Sequence, residues 1–284
     1  MKSKGAKILK NSTLKIGVLN IMHDKLRTQQ RFKEIFDEAP FDVDLQFFYP
    51  KMHYQDRPVP SEVAAISKPL DLTNIKDFDG FIITGSPIER FNFDEVTYID
   101  EVRCLLSELD RNHVQQLYLC WGAMAAMNYF YGIEKKKLTE KVFGVFSHKI
   151  NCCHELLNGI SSGFLAPHAR YEEMDKNQIE QDPNLTINAE DENGNLFLVT
   201  ASKNPERIFL FSHLEYDKPA LLEEYQREKA AHPEIEYKKP ENYFLDKEKM
   251  QDPQFKWKKI QKQFFFNWLN QVSNSTLEPD LVII

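Results

Sequence analysis

The chain has 284 residues, 42% hydrophobic and 28% charged, which suffices for one large core or two small ones. Its formal net charge is −7, from 36 Lys+Arg against 43 Asp+Glu, and no basic block interleaves with aromatics, which argues against a nucleic-acid partner. No apolar run is long enough to span a bilayer, and the lysines of residues 1–10 surround no apolar signal core, so neither membrane insertion nor secretion is expected and a cytoplasmic protein is. The four cysteines, two of them adjacent at Cys152 and Cys153, form no disulfide framework, and with no second Cys or His pair at ligand spacing no metal is expected.

In chain order, strand-like and helix-like segments alternate. Residues 14–19 read as a first strand, and 25–38 follow with Leu26, Phe32, Ile35 and Phe36 at helical spacing. Residues 43–48 predict a second strand and 81–83 a third, which ends at Thr84-Gly85-Ser86-Pro87. A helix over 95–109 leads to the apolar run Leu117-Tyr118-Leu119, then Cys120, then a small-residue helix from Trp121 to Met127. From Val142 onward the pattern shifts to shorter strands at 142–146, 195–200 and 207–211. The acidic stretch 172–192 between them reads as helix and loop. Helices are expected at 221–231 and 257–272, the latter with Phe264, Phe265, Trp268 and Leu269 as a buried stripe. The alternation predicts an α/β fold, a mostly parallel sheet flanked by helices, with one domain over 14–272 between a loose N-terminus (1–13) and a tail (273–284).

Sites in such sheets lie at the carboxyl ends of the strands, where Gly85, Cys120 and His213 would converge. Cys120 sits on the turn between a strand and a helix, a nucleophile elbow, where the dipole and free N–H groups of the helix N-terminus favour thiolate. Gly122 and Ala123 leave room for a substrate carbonyl, and the Trp121 N–H is a candidate oxyanion donor. A lone cysteine at a strand end is usually core. The second segment changes the balance: the strand 207–211 runs into Ser212-His213-Leu214-Glu215, and on an extended chain residues two apart share a face. His213 is then the base for Cys120, with Glu215 to orient it.

These residues also carry a family resemblance. Leu119-Cys120-Trp121-Gly122-Ala123, Glu140-Lys141-Val142-Phe143-Gly144, Ala166-Pro167-His168, His213-Leu214-Glu215-Tyr216-Asp217 and Asn267-Trp268-Leu269-Asn270 fall in the order of the homoserine transacylase family. The resemblance implies a class I glutamine amidotransferase-like fold and acyl transfer through an acyl-enzyme, with Cys120 as nucleophile, His213 as base and Glu215 as orienting carboxylate. It further implies that Lys141 and Arg227 contact substrate, and that Glu89, in the loop Gly85-Ser86-Pro87-Ile88-Glu89, selects acetyl-CoA over succinyl-CoA by bulk and charge. One departure is Ala169, where the family presents a serine hydroxyl to homoserine, which makes L-serine a candidate acceptor. Others are His23 in place of proline and Ser212 in place of glycine.

The expected activity is therefore acetyl transfer from acetyl-CoA to the L-serine hydroxyl, with acetyl-CoA as substrate and no bound cofactor. Homoserine O-acetyltransferase comes next and homoserine O-succinyltransferase after it. A glutaminase or cysteine hydrolase of the same fold and a non-catalytic interaction protein are the alternatives from other classes. The expected partners are small molecules, with neither nucleic acid nor membrane; the one macromolecular partner left open is a second copy of the chain, as a homodimer.

Overall fold

The computed structural model describes residues 13–276. It opens with β1 (Leu14–Leu19), whose residues apart from Lys15 are buried, as a strand covered on both faces requires. Asp24 then caps α1 (Lys25–Asp37) by accepting from the Arg27 N–H at 3.0 Å. β2 (Val43–Tyr49), the short α2 (Ser61–Ile66), β3 (Lys68–Pro69) and β4 (Gly80–Ile83) follow. Next come α3 (Ile99–Arg111), β5 (Gln115–Leu119) and α4 (Trp121–Tyr131), the last ended by Gly132 in the left-handed conformation at φ 67°.

The second half contains β6 (Lys135–Ile150), β7 (Phe164–Met174), α5 (Lys176–Gln181), β8 (Leu185–Asp191), β9 (Leu196–Ala201) and β10 (Arg207–Leu210). It closes with α6 (Ala220–Ala231), a small hairpin of β11 (Phe244–Asp246) and β12 (Gln251–Pro253), and α7 (Lys258–Ser275). One ten-stranded sheet runs in the order β3-β2-β1-β4-β5-β10-β9-β8-β6-β7. From β3 to β10 the neighbours pair in parallel, and from β10 to β7 they are antiparallel.

Two apolar clusters cover the sheet. One joins Phe32 and Phe36 of α1 to Phe264, Phe265 and Trp268 of α7; the other joins Val102, Leu105 and Leu106 of α3 to Met124 and Met127 of α4. Among the described residues no helix is long and apolar enough to cross a membrane. The stretch 172–192 departs from its reading as helix and loop: it contains the end of β7, α5 and all of β8. Several of its acids are paired, Glu173 with Arg170 and Glu190 with Lys176 and Lys149, so charged side chains sit on sheet residues. Helix α7 runs to Ser275, beyond the expected boundary at residue 272, while residues 1–12 and 277–284 of the two expected termini lie outside the described residues.

Candidate active site

Strands β1, β4, β5 and β10 end side by side, so the residues just past their carboxyl ends meet. The Thr84 N–H donates to Leu19 O at 3.1 Å, the Ile21 N–H to Thr84 Oγ1 at 2.9 Å, and the Cys120 N–H to Leu210 O at 2.8 Å. Cys120 is buried at 3% exposure and holds φ 46°, a backbone conformation a side chain rarely adopts. That conformation lets the chain reverse from β5 into α4 within one residue and turns the sulfur out at the helix N-terminus. Gly122 permits the reversal: a Cβ there would lie 2.6 Å from Ile83 O and 2.8 Å from Thr84 O. Trp121 is the first residue of α4, so its N–H is one of the first-turn donors left without a helical partner.

His213 and Glu215 do not sit on an extended strand as the two-residue spacing suggested. β10 stops at Leu210, and residues 213–216 form a turn closed by the Tyr216 N–H bond to His213 O at 3.0 Å. The turn still brings His213 Nδ1 to Glu215 Oε1 at 2.7 Å. Both side chains are buried, and Glu215 Oε2 has no hydrogen-bond partner among the described residues. Burial by itself lowers the His213 pKa, but attraction to the Cys120 sulfur and the Glu215 carboxylate overrides it and holds the imidazole well above its ordinary value. Gly85 lies against the pair, since a Cβ on it would be 3.0 Å from His213 Cε1 and 3.3 Å from Cys120 Cβ.

The cysteine and histidine open onto a cleft of about 1270 Å³. Glu89, Ala169 and Arg227 line it as well. Glu89 is buried, and its carboxylate accepts from the Tyr171 N–H at 3.3 Å. Burial, with Glu224 adding to it, pushes the Glu89 pKa above the ordinary carboxylate range. Ala169, on β7 opposite Phe143, presents only a methyl group. Arg227 is half-buried and makes no side-chain hydrogen bond or ion pair with the described residues.

Lys141 is placed differently. It is not among the residues that line the cleft but lies behind it, bonded to Glu224 Oε1 at 2.6 Å and Glu228 Oε1 at 2.8 Å, both of which do line it. Burial works against its charge, and the two carboxylates more than compensate, so its pKa is raised.

Some participants were not singled out in the sequence. The Tyr216 ring stacks on His213 with centroids 4.4 Å apart and planes at 28°, while its hydroxyl donates to Glu224 Oε2 at 2.9 Å. Its adjacency to Glu215 was the available signal, but an extended reading turns it away from the site. Helix α7 grips the same turn: Gln261 Nε2 donates to Leu214 O at 2.6 Å and to Tyr216 O at 3.0 Å, and Trp257 Nε1 to Tyr216 O at 2.8 Å. Lys25, unlike these, falls in a motif of the resembled family after the first strand, with no role implied by it; buried in the cleft wall, it donates to Met22 O at 2.9 Å, and burial first, then Arg57, pushes its pKa down to about 8.

A glutamine amidotransferase structure from Thermotoga maritima superposes with a TM-score of 0.64 at 10% identity, covering 92% of this chain and 99% of that one, so the fold is the one shared with such amidotransferases. A protein named serine O-acetyltransferase from Lactobacillus acidophilus is 57% identical over 264 residues, covering 93% of this chain and 97% of its own. A homoserine O-acetyltransferase from Clostridium tetani is 35% identical over 260 residues, covering 90% and 84%. The family model described as homoserine O-succinyltransferase matches residues 1–277, and with relatives this similar over nearly their whole length the chain belongs to that family.

Proposed function

We propose that the protein is an O-acetyltransferase that moves the acetyl group of acetyl-CoA through Cys120 to the hydroxyl of L-serine. The observation that carries this reading is the buried Cys120–His213–Glu215 array at the floor of a cleft lined by Glu89, Ala169 and Arg227. In the first half-reaction the Cys120 sulfur attacks the thioester carbonyl. The developing oxyanion is met by the N–H of Trp121 at the helix N-terminus. Coenzyme A departs with a proton held by His213, leaving an acetyl thioester on Cys120.

In the second half-reaction the serine hydroxyl gives its proton to His213 Nε2 and its oxygen attacks the acetyl carbon; the C–S bond breaks and O-acetylserine leaves. Glu215 holds the imidazole through Nδ1 in both steps. Glu89 fills the space that the tail of a succinyl donor would need, which favours acetyl. Ala169 offers no hydroxyl to a longer acceptor, which favours serine over homoserine and agrees with the name of the Lactobacillus relative. Homoserine O-acetylation is the second reading, favoured by the name of the Clostridium relative. Either product feeds sulfur amino-acid synthesis, and acetyl-CoA as donor puts the reaction in the cytoplasm.

The test is coenzyme A release with acetyl-CoA and succinyl-CoA against L-serine and L-homoserine, joined to mass spectrometry of the enzyme mixed with acetyl-CoA alone. An acetyl adduct on Cys120, absent in Cys120→Ala, and a preference for the acetyl–serine pair are expected. An adduct elsewhere, or full activity in Cys120→Ala, overturns the mechanism; a strong preference for homoserine overturns the acceptor.

A further inference from the structure

Glu89 can sort acyl donors only if the chain that carries it holds still. The Tyr171 N–H fixes the end of its side chain at 3.3 Å, but one long bond does not fix a turn. Glu89 belongs to a turn closed by the Phe91 N–H bond to Ile88 O at 3.0 Å, between β4 and α3. Neither a strand ladder nor a helix holds residues 88–91, so their carbonyls need other partners.

Lys135 supplies them. It is the first residue of β6 and pairs with Met174 of β7, so Glu172, two residues back along β7, presents its side chain on the same face. The Lys135 ammonium has three protons, and three acceptors meet them: Glu172 Oε2 at 2.6 Å, Phe91 O at 2.7 Å and Glu89 O. The Phe93 ring lies beside it, 5.2 Å from Nζ to the centroid. The Lys135 and Glu172 side chains are 9% and 10% exposed, so water has little access to these bonds.

A buried ion pair is a poor route to stability, since desolvation costs about as much as attraction returns. What this pair does is direct a lysine at two main-chain oxygens of the Glu89 turn. Consecutive residues of β7 complete the hold. Tyr171 donates its N–H to the Glu89 carboxylate, its ring lies under the Arg90 guanidinium at 3.6 Å, and Glu172 braces Lys135.

We propose that Lys135, braced by Glu172, is a positioning residue for donor choice. It straps the main chain of the Glu89 turn to β6 and β7 and so keeps the carboxylate in the path of a longer acyl tail. This rests on the acyl-transfer reading and on Glu89 as the residue that selects the donor. Lys135 and Glu172 are not among the residues that line the cleft, so they act on the donor through Glu89 alone.

The experiment measures kcat/KM for acetyl-CoA and succinyl-CoA by coenzyme A release, with L-serine and L-homoserine both present. The proteins are wild type, Lys135→Met, Lys135→Met/Glu172→Gln, Glu89→Gly and Glu89→Gly/Lys135→Met. Lys135→Met should raise the succinyl-to-acetyl ratio by roughly 5- to 10-fold, the scale of one or two lost hydrogen bonds, with acetyl use almost unchanged. Lys135→Met/Glu172→Gln leaves no buried charge unpaired, so it should show the same rise with a smaller loss of Tm, which separates loosened selection from a folding defect. In the Glu89→Gly background the Lys135 change should add nothing to the ratio, because no carboxylate is left to position. An unchanged ratio in both Lys135 variants, parallel loss of both donors, or the same rise in the Glu89→Gly background overturns the strap. Equal use of the two donors by wild type removes Glu89 as selector and the strap with it. If wild type releases no coenzyme A from acetyl-CoA, the acyl-transfer reading itself falls. A selective wild type and a relaxed Glu89→Gly beside unchanged Lys135 variants remove the strap alone.

Discussion

On the proposed mechanism, Glu89 would select the acyl donor without touching the reacting atoms. Its carboxylate is buried and held by the Tyr171 N–H, so it does not swing aside for a longer acyl tail. Glu89→Gly should raise kcat/KM for succinyl-CoA by roughly 10- to 100-fold, the effect of removing one like-charge contact and its bulk. Measurement of both donors with both proteins decides it, and equal use of the two donors by wild type would remove Glu89 from the account. The residues of greatest chemical character were legible in the sequence because their types and spacings are unusual: a cysteine between an apolar run and a small-residue helix, and a histidine two residues before a glutamate. Tyr216 and Glu224 were not, since a tyrosine in a turn and a glutamate on a charged helix have no local signature. What gives Tyr216 a place in the cleft is the turn at residues 213–216, which a strand-like reading straightens out, while Glu224 is placed by α6.

At the scale of elements, α7 is more than a cover for the sheet. Its apolar stripe fixes it on the core, and that fixes Gln261 and Trp257 as donors to the carbonyls of the turn that carries His213 and Glu215. Gln261→Leu keeps the size and removes both of its bonds, leaving the Leu214 carbonyl buried without that partner, at a cost of about 1–3 kcal/mol. We expect a lower Tm and a several-fold fall in the rate of coenzyme A release at saturating acetyl-CoA, with little change in its KM. An unchanged release rate would mean that the turn holds its shape without the helix. The parallel strands were readable because each is covered on both faces and reads as an apolar run. β7 and β8 were not, because they carry polar and charged side chains whose partners lie three residues back on the same strand, on β6 and on α5, and no local pattern announces such pairing.

Across the whole molecule, the last two strands of the antiparallel half, β6 and β7, contain two buried histidines that do not line the cleft. His148 Nε2 and His168 Nε2 lie 2.7 Å apart, and Arg170 reaches both the His168 ring and Phe211 O. Burial, the dominant cause, pushes the His148 pKa down to about 4 from 6.5, and His168 is also lowered well below its ordinary value, with Arg170 adding to the effect of burial. Both rings are therefore neutral in the folded protein at a pH where the unfolded chain protonates them. Stability is full above pH 6.5 and falls as pH drops from 6.5 toward 4, by on the order of 3 kcal/mol for His148. His213 does not offset this loss: its pKa is raised, so its contribution is complete below 6.5 and is lost only as pH rises through the raised value. Thermal melts across this range should show Tm dropping with acid, and His148→Gln, which can still hydrogen-bond but does not protonate, should show a shallower drop. An equal slope in both proteins would assign the acid sensitivity to other groups.

The backbone at Cys120 has a consequence for how such a chain could arise. At φ 46° the residue least strained there is glycine, which has no sulfur and no chemistry to offer. A chain optimised for folding alone would therefore write glycine at position 120 and keep the same shape without the thiol. On the proposed mechanism the reactive atom stands where the architecture itself would have left none, so stability and acyl transfer would ask for different residues at this one position, and the rest of the sheet must be sound enough to bear the difference.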